Sequence, residues 1–283
     1  MKTPKRLLPL VEEGLVDEVM RQLMSGKEAT VYVVRCGDEI RCAKVYKAAS
    51  ERSFHQAVAY QEGRRVKNSR QARAMEKGTR FGRKMAEEVW QNAEVDALYR
   101  LAAAGVRVPT PYLCFEGVLL MELITDADGN AAPRLNDVVL TIEKAREYHA
   151  MLLQQVVRML CAGIIHGDLS EYNILVDAVG PVIIDLPQAL DAAASSVAAS
   201  MLERDVSNLA NFFGVVAPEL LGTQYGAEIF QLYQAGLLTP DTPLTGRVAA
   251  PDRPADVAAV IQEIALAREE EEERRRVIAE NAS

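Results

Sequence analysis

His166-Gly167-Asp168-Leu169-Ser170-Glu171-Tyr172-Asn173 lies between two apolar stretches, and twelve positions beyond Asn173 the chain reaches Ile183-Ile184-Asp185. An Asp, four residues, an Asn, and then a second Asp closing a β-branched run is an arrangement with a chemical purpose. Asp168 can meet an attacking hydroxyl. Asn173 and Asp185 offer hard oxygen ligands of the kind a small octahedral cation prefers. One Asp near one Asn is common in loops and means little alone. Framed as H-x-D-x-x-x-x-N with a later strand-borne Asp, the set reads as a phosphoryl-transfer site. His166 itself reads as a packed structural histidine, not a base.

The upstream parts of such a site follow in the expected order. Ser25-Gly26-Lys27-Glu28-Ala29 precedes Thr30-Val31-Tyr32-Val33-Val34, a strand–turn–strand start. A second strand, Ile40 to Tyr46, carries Lys44. A half-buried ammonium is costly unless paired, and ATP phosphates together with a glutamate from a following helix would pair it. Glu94, on the helical stretch Met85 to Ala103 that contains Trp90, is the candidate. Gly26 and Lys27 are placed to cover the phosphates. After two strands at 112–115 and 118–121, Glu122-Leu123-Ile124 is the expected hinge between lobes, where backbone groups of Glu122 and Ile124 meet adenine. The expected ligands are ATP with Mg²⁺ or Mn²⁺.

Two features depart from an ordinary protein kinase: a single glycine, Gly26, in the first loop, and Leu186-Pro187 after Asp185. With S-G-K-E-A at 25–29, A-K-V-Y-K at 43–47, G-D-L-S-E-Y-N at 167–173, I-I-D at 183–185, and Arg204-Asp205 before Asn211-Phe212-Phe213, the chain resembles the RIO family of atypical protein kinases. The opening Gly14-Leu15-Val16-Asp17-Glu18-Val19 resembles the lead-in of its first subgroup, and the likeness covers about residues 14 to 238. It implies an α+β, bilobal protein-kinase-like fold, with a small antiparallel-sheet amino lobe and a mostly helical carboxyl lobe. It further implies an atypical serine/threonine kinase or ATPase, with Asp168 as the catalytic Asp and metal on Asn173 and Asp185. Phosphate transfer onto Asp185 itself, an aspartyl-phosphate, is the ATPase form of that activity; serine-directed transfer, to a protein substrate or to self, is the other. The family usually has Ala where this chain has Gly167, and Gly167 is expected to be tolerated because it stays small. A nucleotide-gated binding protein on ribosome or RNA, with little turnover, is the alternative.

The 283 residues are 49% hydrophobic, enough for a packed interior, and the net charge of −8 excludes a generic nucleic-acid binder. The basic start is too broken by Pro9, Glu12 and Glu13 to read as a signal peptide. No stretch approaches the roughly 20 apolar residues that span a bilayer, so no membrane contact and a cytoplasmic location are expected. Cys36, Cys42, Cys114 and Cys161 lack paired spacing and read as reduced core thiols. Between Arg64 and Lys84 nine basic residues face one acid, Glu76. That run is either a solvated face, a contact for ribosome or RNA, or a mobile segment over the nucleotide.

Along the chain, 1–24 reads as a lead-in with an amphipathic helix over 9–24, 25–121 as the amino lobe, 122–238 as the carboxyl lobe, and 239–283 as a Pro-rich linker with a charged helical tail. Residues 50–80 read as an insertion, partly helical and partly mobile, because the 50 positions from Lys44 to Glu94 exceed what a compact lobe needs. Helices are expected near 136–140 and 141–162. Ala217-Pro218-Glu219 imitates the end of an activation segment, but Pro218 more naturally opens or interrupts a helix.

Overall fold

The structure, a computed structural model, describes residues 3–26, 29–47 and 93–248. Lys27, Trp90, the 50–80 insertion, the basic run 64–84 and the charged helical tail beyond residue 248 all lie outside the described residues.

The amino lobe is an antiparallel sheet of β1 (Glu18–Ser25), β2 (Ala29–Cys36), β3 (Glu39–Tyr46), β4 (Pro111–Phe115) and β5 (Val118–Glu122), ordered β1-β2-β3-β5-β4. β-branched and aromatic residues dominate β2 and suit a pleated, half-buried surface. Strands β2 and β3 pair without interruption, so Lys44 sits opposite Val31 on one side and Leu119 of β5 on the other. Side chains alternate across the sheet. Ala43, Val45, Val118 and Leu120 therefore join Leu7, Leu10, Val16 and Val19 in one apolar cluster, while Tyr46 and Leu119 belong to the main core. Lys44 shares the parity of Tyr46. The segment before β1 thus floors the central strand, and Arg6 ties it down by donating to the Tyr46 carbonyl at 2.7 Å.

The helix expected over 9–24 is mostly absent. Only α1 (Leu8–Glu12) forms, and 18–25 is strand β1. Gly14 adopts φ +70, its N–H reaching the Val11 carbonyl and the Leu15 N–H the Leu10 carbonyl. This left-handed closure ends the helix. Two register shifts in β1, between Val19 and Arg21 and between Gln22 and Met24, then interrupt its alternation. Leu15, Val19 and Leu23 are spaced as on a helix, yet only Val19 of the three is buried.

The helix over 93–103, here α2, buries Glu94, Val95, Ala97, Leu98 and Leu101 on one face. The carboxyl lobe consists of α3 (Ile142–Cys161), the short strands β6 (Ile164–Ile165), β7 (Ile174–Val176), β8 (Pro181–Ile183) and β9 (Leu190–Asp191), then α4 (Ala198–Gly214) and α5 (Tyr225–Gln234). Thr141 caps α3, its hydroxyl accepting the Lys144 N–H. The helix expected at 136–140 is only a 3₁₀ turn, Leu135–Asp137, because Val138 is already extended. Pro218 opens a 3₁₀ turn, Pro218–Leu220, whose Glu219 pairs with Arg146 of α3. The carboxyl lobe also runs past 238. The Glu228 carboxylate on α5 accepts the N–H groups of Thr245 and Gly246 at 2.8 and 2.7 Å, so the compact unit extends to Arg247. Of the cysteines only Cys42 is a core thiol, while Cys114 and Cys161 are exposed.

His149 of α3 is 2% exposed, packed against the rings of Phe213 and Tyr225 at 5.7 Å each. Burial lowers its pKa from 6.5 to about 4. Between those values the unfolded chain binds the proton and the folded one does not, so stability falls as pH falls from 6.5 to 4. The loss attributable to this one group is about 3 kcal/mol. Urea titrations at pH 7 and pH 4.5 should show His149→Leu losing less stability between the two than the wild type.

Candidate active site

Lys44 is the centre of the site. Its ammonium lies 2.5 Å from Glu94 Oε1 and 2.9 Å from Asp185 Oδ1, with side-chain exposures of 11% for the lysine and 4% for the glutamate. Burial alone would lower the Lys44 pKa, but the charges of Glu94 and then Asp185 overcome it and raise the pKa well above normal. At Asp185, shielding from water pushes the carboxyl up. The Lys44 charge and hydrogen bond outweigh that push and hold it below the usual range. Both groups are therefore ionised at neutral pH. Three elements far apart in sequence (β3, α2 and the turn after β8) meet at one nitrogen.

Asp185 has φ +68, a left-handed backbone that is uncommon outside glycine. The turn swings its carboxylate out of the strand direction toward Lys44. Asn173 comes within the same region because β7 and β8 pair, Ile174 opposite Ile183, and because the Ile184 N–H donates to the Asn173 carbonyl at 2.9 Å. The Asn173 amide donates through Nδ2 to the Asp168 carbonyl at 2.8 Å, which leaves its Oδ1 to face a ligand. Asp168 is open to solvent. Partial desolvation raises its pKa and the nearby Asp185 charge adds to this, against lowering by His166 and Arg204.

Among the described residues no cluster of three or more His, Cys, Asp or Glu side chains forms a cation site by itself. Two protein oxygens, Asn173 Oδ1 and an Asp185 oxygen, are what remains. That donor set fits Mg²⁺, which takes few protein ligands and fills its octahedron with phosphate oxygens and water.

His166 is 2% exposed, with Nε2 3.1 Å from the Ile184 carbonyl and Nδ1 accepting the Asp168 N–H at 3.3 Å. It joins the Asp168 loop to the Asp185 strand and has no free nitrogen for proton transfer. At the hinge, Glu122 directs its carboxylate at Thr110, accepting from the Thr110 N–H and hydroxyl at 3.0 and 2.8 Å. The Ile124 carbonyl is taken by the Ala132 N–H at 2.9 Å. Gly26 closes the β1–β2 hairpin, its N–H on the Ala29 carbonyl and its own carbonyl on Lys47 Nζ at 2.6 Å.

Asp205 and Gly167 carry more of the site than their sequence context suggests. Asp205 is 1% exposed, and its two oxygens accept the N–H groups of Gly167 and Leu169 at 2.8 and 2.9 Å, the residues flanking Asp168. Arg204 donates to the Gly167 carbonyl and Asn208 to that of Leu169 at 3.0 Å. Helix α4 therefore holds the Asp168 loop by four backbone groups. A signal was available: Leu202, Asp205, Val206 and Leu209 share one helical face, and a carboxylate in an apolar stripe demands a partner. Gly167 has φ +79, and a Cβ there would lie 2.6 Å from the Gln188 carbonyl. The glycine is thus required in this chain rather than tolerated as a small substitute.

Asp205→Ala strands two buried N–H groups, each costing about 1–3 kcal/mol. Urea titration should show Asp205→Ala losing about 2–6 kcal/mol of stability. Gly167→Ala should lower the melting temperature, because the Asp168 loop must move off Gln188.

The sequence model of the RIO domain matches residues 30–224. The RIO-type serine/threonine-protein kinase Rio1 of Haloferax volcanii is 34% identical over 206 residues, covering 72% of this chain and 66% of the relative. That of Methanocaldococcus jannaschii is 31% identical over 214 residues, covering 75% and 68%. The human serine/threonine-protein kinase RIO1 is 32% identical over 214 residues, covering 75% of this chain but 36% of its own length. The chain thus spans a little under two thirds of the Haloferax protein and about a third of the human one. The match runs from β2 to the residue before α5 and takes in Lys44, Asp168, Asn173, Asp185 and Asp205, and on that ground the chain belongs to the RIO domain family.

Proposed function

We propose that this chain is an atypical serine/threonine kinase or ATPase of RIO type that moves the γ-phosphoryl group of ATP. The observation that carries the reading is the double ion pair of Lys44 with Glu94 and Asp185, beside Asp168 and Asn173. A lysine so paired is a fixed positive charge with its orientation set before substrate arrives, which suits it to hold phosphate oxygens. Glu94 keeps it in place. Gly26 and Lys27 cover the phosphates, and the backbone at Glu122 and Ile124 meets the adenine. A Mg²⁺ or Mn²⁺ ion on Asn173 and Asp185 would neutralise charge on the phosphate chain.

In transfer to an alcohol, the Asp168 carboxylate accepts the hydroxyl proton while the hydroxyl oxygen bonds to the γ-phosphorus and the bond to the β,γ-bridging oxygen breaks, releasing ADP. A serine of another protein, of this chain, or water can supply that oxygen. Asp185 is a competing acceptor. Its side chain stays 45% exposed and ionised, and its oxygen can bond to the γ-phosphorus as ADP leaves, giving an acyl-phosphate that water then hydrolyses. Proximity favours this route over a bimolecular encounter. A ribosome or RNA contact through residues 64–84 belongs to the same proposal.

Labelled ATP separates the readings. Lys44→Ala and Asp168→Ala should lower turnover about a hundredfold or more, and Glu94→Gln less, since Asp185 still pairs with Lys44. Acid-quenched wild type should carry label that hydroxylamine removes and that Asp185→Asn lacks, whereas phosphoserine would survive hydroxylamine. Binding of ATP without turnover, even in single-turnover conditions, would make the chain a nucleotide-gated binding protein instead.

A further inference from the structure

One cation at the cleft mouth is not used by the mechanism above. Arg134 precedes the Leu135–Asp137 turn and forms an isolated antiparallel bridge with Leu175, two residues past Asn173. Its guanidinium crosses from the carboxyl lobe to the amino lobe, where Nη2 lies 2.9 Å from Met24 Sδ, two residues before Gly26. Arg134 is half-buried and Met24 40% exposed.

That partnership is poor chemistry for a guanidinium. Five N–H donors in a planar fork match carboxylate or phosphate oxygens, and a thioether is a weak acceptor. Among the described residues no carboxylate forms an ion pair with Arg134; the nearby Asp185 is engaged by Lys44. Arg134 therefore pairs through its backbone two residues past Asn173, while its side chain touches the strand leading into the Gly26 hairpin. A charge in that position, with its fork unfilled, matches a polyanion better than it matches a neutral sugar or base.

We propose that Arg134 is a further nucleotide ligand: on binding it exchanges the Met24 sulfur for oxygens of the phosphate chain, drawing the two lobes together over a nucleoside di- or triphosphate. This rests on the nucleotide-binding reading of the Lys44 site. It makes Arg134 the carboxyl-lobe counterpart of Lys44, a second cation that reads the same phosphates from the opposite wall.

The test is calorimetric titration of the full chain with MgATP, MgADP and adenosine, for wild type, Arg134→Gln, Arg134→Lys and Lys44→Ala. Arg134→Gln should weaken MgATP and MgADP about tenfold, as loss of one charge-assisted contact does, and leave adenosine within twofold. Arg134→Lys should recover part of the loss, and the difference should shrink as salt is raised. Equal affinity of wild type and Arg134→Gln for MgATP overturns the proposal. An equal loss for adenosine also overturns it, by placing Arg134 on the ribose or base. If Lys44→Ala weakens MgATP and Arg134→Gln does not, only this inference falls. If neither changes binding, or wild type fails to bind MgATP, the nucleotide reading falls with it. Matching thermal unfolding of Arg134→Gln and wild type keeps a folding defect from imitating the effect.

Discussion

Everything in the cleft depends on one buried ammonium ion having two carboxylates. Lys44 is almost closed off from water on the central strand of its sheet, a position in which an unpaired charge would be expelled or neutralised. Glu94 and Asp185 prevent both. The arrangement fixes where α2 docks against β3, and it fixes how far the turn after β8 reaches into the cleft. Because removing one partner of a buried pair leaves the other uncompensated, the three residues act as a unit.

The second constraint is mechanical and comes from the other lobe. Asp168 is exposed and makes few contacts of its own, so its position is inherited from its neighbours. Arg204 and Asp205, with Asn208 one turn further along α4, grip the N–H and carbonyl groups on either side of it. His166 adds a link to the Asp185 strand. The Asp168 carboxylate is thereby left exposed while its backbone is held by a helix packed in the core. The polar side chains exposed in the cleft and the side chains that position them are different sets, carried on different elements.

The two sets differ in how legible they are in the sequence. Lys44, Asp168, Asn173 and Asp185 could be named because their chemistry demands particular residue types at particular separations, and the structure brings them to one cleft with Glu94. Strands β2 to β5 could be placed because their apolar content is dense and their ends are marked by Gly37, Gly117 and Pro111. Asp205 was legible only as a carboxylate in an apolar stripe: it acts on backbone groups, which every residue possesses, so the spacing that marks it does not name its partners. The register shifts of β1 erased the alternation that identifies a strand and left a false helical period in its place. Arg134 was silent for a different reason. Its neighbours come from strands far away in the chain, and nothing local distinguishes it from a solvated arginine.

Those register shifts also have a consequence for how the molecule keeps to itself. β1 and β4 are the two outer strands of the five-stranded sheet, and an outer strand offers a row of unmet N–H and carbonyl groups to any passing chain. Both are interrupted: β1 twice, and β4 between Pro111 and Leu113, where the proline has no N–H to give. Neither border presents an even ladder onto which a foreign strand could be zipped. The irregularity that obscures β1 in the sequence thus guards a valine-rich sheet against growing by accretion.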